Sequence, residues 1–323
     1  MADSSLVLEK ASLTNAQPDQ PLVDPNVFLI GRPPLKRWLN FVADLAVGEG
    51  SKVNTRGLAD EWRAANAHIR ELEKLEAGWA DKPEIIPLPP HLEPLVEQVS
   101  KNPLFHRAAR IVPADIAMVE LDRLVVYQKH IDLAHVRCLK DKLGPAPSDE
   151  EIFRLCLPLD HTQPPIRAMK TRSNSYVFVS PSNDLRLLGD TLFGPAYLTG
   201  QSGLGVISGI VGIVVGFSSN FLHAIQAEGR LVLNNGSHRA YALRDLGITH
   251  APCLVKRVSS PEEFQAVAPS DVRKTPELYL KHPRPSVLKD YFDPRLRKLI
   301  DVPRKLQQLR VTFEVEEVDI PSM

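Results

Sequence analysis

One stretch of this chain constrains its fold more than any other, Gly229 to Val258. An apolar run, Leu231-Val232-Leu233, meets Asn234-Asn235-Gly236, a combination that ends a strand and turns the backbone. Ser237 is then placed to cap a helix that carries Tyr241, Leu243 and Leu246 and stops at Gly247. Pro252-Cys253-Leu254-Val255 reads as a second strand. The unit is strand, glycine turn, helix, strand. Its turn gathers free backbone N–H groups with the hydroxyl of Ser237, the imidazole of His238 and the guanidinium of Arg239. Helix N-terminal amides and the helix dipole favour phosphate, and arginine adds a planar fork of donors. The same residues also suit an ordinary strand-to-helix turn with His238 and Arg239 in solvent, because motifs this short recur by chance.

A second stretch lies upstream. Val119-Glu120-Leu121-Asp122-Arg123-Leu124 leads to Tyr127-Gln128-Lys129-His130. A helical segment follows from Asp132 through Val136, Leu139 and Leu143 to Gly144, and Pro164-Pro165-Ile166 comes later. Together the two stretches resemble the ParB/sulfiredoxin-like superfamily over roughly 111–258. Those domains carry a Gly-x-His-Arg or Gly-x-Arg-Arg turn that opens a helix of the form A-x-x-x-LG. In the resemblance Gln128 falls on the family's Gln, Lys129 replaces its usual Pro, and His130 stands where a ParB has Arg. The resemblance implies an α+β fold, with a ParB/sulfiredoxin-like core built on a small mixed sheet and preceded by a helical N-terminal region. It also implies that Gly236, Ser237, His238 and Arg239 bind nucleotide phosphates, with Gln128, Lys129 and His130 approaching from the first motif.

Departures from the family limit the chemistry. Sulfiredoxins have Cys where this chain has Ser237, so sulfinic-acid reduction by that route is not expected. The longer basic second motif of ParB proteins is reduced here to Arg239 and Arg244. Kinases of the superfamily use a carboxylate near the first motif, and Glu120 and Asp122 are the catalytic candidates, two apart in an expected strand and therefore on one face. Asp132 is read instead as a helix cap. The expected ligand is ATP or CTP, with Mg²⁺ if hydrolysis or phosphoryl transfer follows. The competing expectation is a non-enzymatic scaffold with a silent pocket, using the N-terminal helices to bind a protein partner.

Charge and cysteine content narrow the classes further. Lys plus Arg and Asp plus Glu are 39 each, so no global basic field exists to hold nucleic acid. A DNA-associated role would fall to the basic run Arg295, Arg297, Lys298, Arg304, Lys305 and Arg310, which more commonly marks a solvated face. Cys138, Cys156 and Cys253 are too widely spaced for a disulfide framework or a metal pair. No signal peptide is visible, and a cytoplasmic location is expected. None of the ten histidines sits in a metal-ligand motif.

Thr191 to Leu222 contains no charged residue. A transmembrane helix needs about 20 mostly apolar residues, and the apolar core here is shorter and lacks Lys or Arg flanks. A phosphate loop would need a third glycine after Gly203-Leu204-Gly205 or a following Gly-Lys-Ser/Thr. The favoured reading is a glycine loop and then a buried strand from Ile210 to Phe217, beside the strand at Gly229–Leu233. The chain then divides into a loose tail at 1–26, helices and a linker over 27–100, the core domain over 101–258 with an insertion at about 167–228, and a helical extension over 259–323 ending in a strand. Within the second region, helices are expected from Leu35 and from Asn54 to Gly78, packed as a hairpin on the core, with Lys82–Pro94 as linker.

Overall fold

The computed structural model describes residues 22–45, 54–128, 130–159, 164–172, 174–182, 184–194, 208–217 and 219–320. The fold is α+β, with ten α-helices and four small sheets among these residues. The strands in chain order are β1 (Val23–Leu29), β2 (Ile85–Ile86), β3 (Ala114–Glu120), β4 (His130–Asp132), β5 (Arg167–Arg172), β6 (Ser175–Ser180), β7 (Leu185–Phe193), β8 (Ile210–Phe217), β9 (His223–Ala227), β10 (Arg230–Asn235), β11 (His250–Arg257), β12 (Arg297–Pro303) and β13 (Gln307–Thr312). The helices are α1 (Leu35–Leu45), α2 (Thr55–Leu75), α3 (Glu93–Ser100), α4 (Pro103–Ala108), α5 (Leu133–Leu143), α6 (Asp149–Cys156), α7 (Ser237–Asp245), α8 (Pro261–Val267), α9 (Ser270–Lys274) and α10 (Pro276–Leu280).

The central sheet runs β10-β9-β11-β3-β2. It is mixed, since β11 and β9 are parallel and the other pairs antiparallel. Strand alternation explains why the run at β10 is continuously apolar. Leu231 and Leu233 enter one hydrophobic cluster, with Leu121, Phe153, Phe221 and Tyr291, while Val232 enters a second with Val125, Ile225 and Phe264. Both faces of the strand are therefore dry, and each fully buried Leu or Val contributes about 1.5–3 kcal/mol. α7 sinks into the first cluster through Ala240, Ala242 and Leu243, all fully buried.

The N-terminal helices pack together as expected. Trp38, Val42 and Leu45 of α1 meet Ala65 of α2 in a third cluster completed by Phe28 and Ile30. Elsewhere the chain departs from its sequence reading. Residues 23–26, expected to be loose, form half of β1, which pairs with β12 and β4. The expected linker supplies β2, the edge strand against β3. The C-terminal part returns to the body of the fold, since β12 flanks β1 and β13 pairs with β6. β13 falls where the alternation of Leu309 and Val311 led a terminal strand to be expected; β1, β2 and β12 lack alternation over enough residues to stand out in sequence.

The uncharged segment differs most. β8 forms where a strand was expected, but it pairs with β7 rather than with β10, and it is not buried. Val211 is 71% exposed and Val214 45%. Residues 195–207 and 218 of that segment, Gly203-Leu204-Gly205 among them, lie outside the described residues. No described helix is long and apolar enough to cross a membrane.

Candidate anion site

β10 ends in Asn235, and Gly236 turns the chain with a φ of +91°. That left-handed conformation costs glycine little and other residues more. It also leaves no room for a side chain, because a Cβ at Gly236 would lie 2.6 Å from Leu222 Cδ1 and 3.0 Å from Arg239 Nη2. Gly236 itself is the N-cap of α7, and no side chain caps the helix. Ser237, expected to cap, is the first helical residue instead. The first N–H groups of α7 thus meet no side-chain oxygen at the turn.

The first motif is stapled to this turn by the main chain. Val125 donates its N–H to Leu231 O at 2.8 Å and accepts from Leu233 N–H at 2.9 Å. Tyr127 Oη donates to Asn234 O at 3.0 Å, and Gln128 Nε2 to Leu233 O at 3.3 Å. Gln128 Oε1 is buried with no hydrogen-bond partner among the described residues. Lys129 lies outside those residues. His130 opens β4, exposed, with its ring stacked on Phe28 at 5.2 Å. Gln128 and His130 are thereby brought to the region of Gly236–Arg239, as the sequence motifs implied.

A second helix N-terminus comes to the same place. Asp132 caps α5, accepting from Ala134 N–H at 2.8 Å and His135 N–H at 3.1 Å. His135 in the first turn of α5 meets His238 in the first turn of α7, ring edge to ring face, with centroids 5.2 Å apart. His238 Nε2 is buried and has no hydrogen-bond partner among the described residues. Burial, reinforced by His135, His130 and Arg239, pushes the His238 imidazole down to about 3. Burial likewise lowers His135, against an opposing pull from Asp132. His135 was not among the sequence candidates. Its helical spacing from Val136 and Leu139 gave no sign that it faces another helix.

Arg239 corrects a sequence expectation. It was expected in solvent or against a phosphate. It is buried at 6% exposure, and its guanidinium packs beneath Gly236, engaged with carbonyls from 155–156 and 220 rather than with solvent. Nη1 donates to Leu155 O at 3.2 Å, to Cys156 O at 3.1 Å and to Asn220 O, and Nη2 donates to Asn220 Oδ1 at 3.1 Å. All these acceptors are neutral. Burial lowers Arg239 to about 10, so it stays charged at neutral pH. An uncompensated positive charge therefore lies directly behind the first turn of α7.

Glu120 and Asp122 are not brought to the turn. Glu120 is the last residue of β3 and pairs with Arg123 at 3.1 Å. Asp122 lies in a 3₁₀ turn, Leu121–Arg123, so the two do not share a strand face. Asp122 accepts from Arg244 Nε at 3.0 Å. Arg244 is in the last turn of α7, about 10 Å along the helix from Ser237 at 1.5 Å per residue. The catalytic assignment of these carboxylates thus loses its geometric basis. A cleft of about 290 Å³ lies at that same far end, between Ile152, Gly247 and His250, and none of the turn residues lines it.

Three of the six cations in the basic C-terminal run are paired with acids. Arg304 forks onto Asp24, Lys298 pairs with Glu61, and Arg295 with Asp293. No group of three or more His, Cys, Asp or Glu among the described residues is placed to hold a metal ion. Comparison with protein-family models, with curated proteins and with solved structures finds no match to this chain.

Proposed function

We propose that this protein binds a phosphorylated ligand of the nucleoside-phosphate class, ATP or CTP, at the turn Gly236–Arg239, and that the central sheet with α5 and α7 is a ParB/sulfiredoxin-like core. The single observation that carries the reading is Arg239, a buried cation with only neutral partners, set behind a helix N-terminus that no side chain caps. A charge so placed favours an anion in front of the helix, where the dipole acts in the same sense. Ser237 and the amides of the first turn would hold one phosphate. Arg239 acts through its field rather than by contact. His238 Nε2 and Gln128 Oε1 are both buried without partners among the described residues; the imidazole would donate to a phosphate oxygen, and the amide oxygen would accept from a hydroxyl or amino group of the nucleoside.

Binding without turnover fits best. Glu120 and Asp122 are held in ion pairs at the other end of α7, and phosphoryl transfer needs a group that orients or deprotonates the acceptor. The same fact favours the scaffold or ligand-sensor reading over an NTP-hydrolysing enzyme with Mg²⁺.

The test is a thermal unfolding panel with ATP, CTP, GTP, UTP and pyrophosphate, with and without Mg²⁺. At a hundredfold excess over Kd the ligand should stabilise the fold by about 2.7 kcal/mol. His238→Ala should remove most of that gain without changing the melting of the free protein by much. If none of the five anions shifts the transition at millimolar concentration, the reading is wrong.

A further inference from the structure

The three-stranded sheet β13-β6-β5 leaves β5 as an edge strand. All six residues of β5 are exposed. Three of them are cations, Arg167, Lys170 and Arg172, and none is an acid. None of the three has an ion-pair partner among the described residues; Lys170 only hangs over the Tyr176 ring at 5.9 Å. Met169 between them is 48% exposed, and Ile166 just before them 37%. Edge strands commonly use lysine to stop like edges from pairing. Two β5 edges would indeed repel each other. An acidic strand would not be repelled.

The chain carries such a strand. Beyond β13, residues 314–320 continue without secondary structure and fully in solvent. They read Glu-Val-Glu-Glu-Val-Asp-Ile, with Val315, Val318 and Ile320 exposed at 74%, 68% and 84%. Glu314, Glu316, Glu317 and Asp319 have no ion-pair partner among the described residues. In an extended chain Glu314 and Glu316 point to one side, and Glu317 and Asp319 to the other. A bulge between Lys170 and Arg172 sets Arg167 opposite Val179 and Arg172 opposite Ser175, on one face of the sheet, and either register of the segment puts two carboxylates on that face.

We infer that residues 314–320 of one copy of this chain add as a fourth strand to the β5 edge of a second copy. Main-chain hydrogen bonds supply affinity in strand addition, and the opposed charges select the partner. The segment has seven residues against six in β5, so the lengths match. A second copy fits better than the same chain. Phe313 is fastened at the β13 edge, donating its N–H to Asn174 O at 3.1 Å and accepting from Asn174 Nδ2 at 3.1 Å. From there the chain would have to cross three strand spacings, about 14 Å, to lie outside its own β5 edge. That crossing uses about four of the seven residues. A neighbouring copy receives all seven.

The experiment uses two variants of the full chain in light scattering after size exclusion. One carries Glu314→Lys, Glu316→Lys, Glu317→Lys and Asp319→Lys, the other Arg167→Glu, Lys170→Glu and Arg172→Glu. All seven sites are exposed, and matching thermal melts check that both variants fold. Wild type should self-associate with rising concentration and dissociate with added salt. Each variant alone should stay monomeric, because its segment and its edge then carry like charges. Mixing the two should restore association, since the basic segment of the first fits the acidic edge of the second. A chain ending at Phe313 should be monomeric as well, and it leaves every strand intact. Wild type that is monomeric at all concentrations overturns the inference. So does a mixture that fails to associate, or association that survives removal of 314–320.

Discussion

Arg239 Nη1 donates to the main-chain oxygen of Cys156 at 3.1 Å, tying the first turn of α7 to the end of α6. The same nitrogen reaches Leu155 O, and the guanidinium also serves Asn220. A surface phosphate ligand could be deleted at little cost to the fold, but this arginine cannot. Arg239→Ala removes the donor to Leu155 O, Asn220 O and Asn220 Oδ1, all half-buried, at about 1–3 kcal/mol for each group left unsatisfied, while Cys156 O keeps the N–H of Leu222. A total loss of at least about 3 kcal/mol is expected in urea unfolding. Arg239→Lys should recover little, because one ammonium cannot reproduce a planar fork. A loss below about 1 kcal/mol for the alanine variant would show that the arginine is not structural.

The order of elements from β10 through α7 to β11 was legible because each residue class there does one thing. The apolar run cannot face water, Asn235-Gly236 turns the chain, and Gly247 at φ +83° ends the helix. Asp132 was legible as a cap for the same local reason. The direction of Arg239 was not, because it depends on carbonyls that arrive from 155–156 and from 220. Nor was the pairing of β8, since an apolar strand reads alike whether it lies in a core or in an exposed hairpin. The short strands β1, β2 and β12 owe their existence to partners far away in sequence, and local pattern carries little of that.

Acid should weaken this fold through its buried histidines. His223 Nε2 accepts a hydrogen bond from Asn234 Nδ2, and burial with Lys256, Arg239 and Arg186 nearby pushes its imidazole down to about 3. His238 is also pushed to about 3. Both native values lie below the ordinary histidine value near 6.5. Between about 3 and 6.5 the unfolded chain binds protons that the native protein refuses. Stability is therefore fully present above 6.5 and falls as the pH drops toward 3. Between pH 7 and pH 5 the loss should be about 2 kcal/mol for each histidine. Urea unfolding at the two pH values measures it, and His223→Gln should reduce the slope by its share. A stability that does not change over this range would contradict the buried neutral imidazoles.

Gly236→Ala should destabilise the protein by about 2–3 kcal/mol. Part is the left-handed backbone, which costs a non-glycine residue about 1 kcal/mol or more. The rest is overpacking against Leu222, which is fully buried and has nowhere to move. The two causes separate with Gly236→Asn, since asparagine tolerates the backbone better but not the contact. Chemical denaturation midpoints for the two variants should rank glycine, then the others well below. An alanine variant as stable as wild type would mean that the turn can relax.

Two aspartates paired with arginine should respond to very different degrees to loss of charge. Asp290 is 3% exposed and grips Arg284 through both oxygens, at 2.9 and 2.6 Å, while also accepting from Val287 N–H at 3.0 Å. Arg284 is itself 1% exposed. Asp290→Asn replaces an acceptor with a donor that faces the guanidinium and strands a buried cation. The expected loss is about 3–5 kcal/mol, the range for breaking a buried pair from one side. Glu76 also meets Arg284, at 2.9 Å, and keeps the loss from being larger. Asp122 pairs with Arg244 in half-exposed surroundings, side chains 36% and 35% accessible. Water replaces the lost carboxylate there, and Arg244 retains its stacking over Phe292 at 4.1 Å. Asp122→Asn should change stability by no more than about 1 kcal/mol. Thermal melts of the two variants under one buffer decide the matter. Equal effects would mean that burial does not set the worth of these pairs, and that Asp122 is held for a reason other than its ion pair.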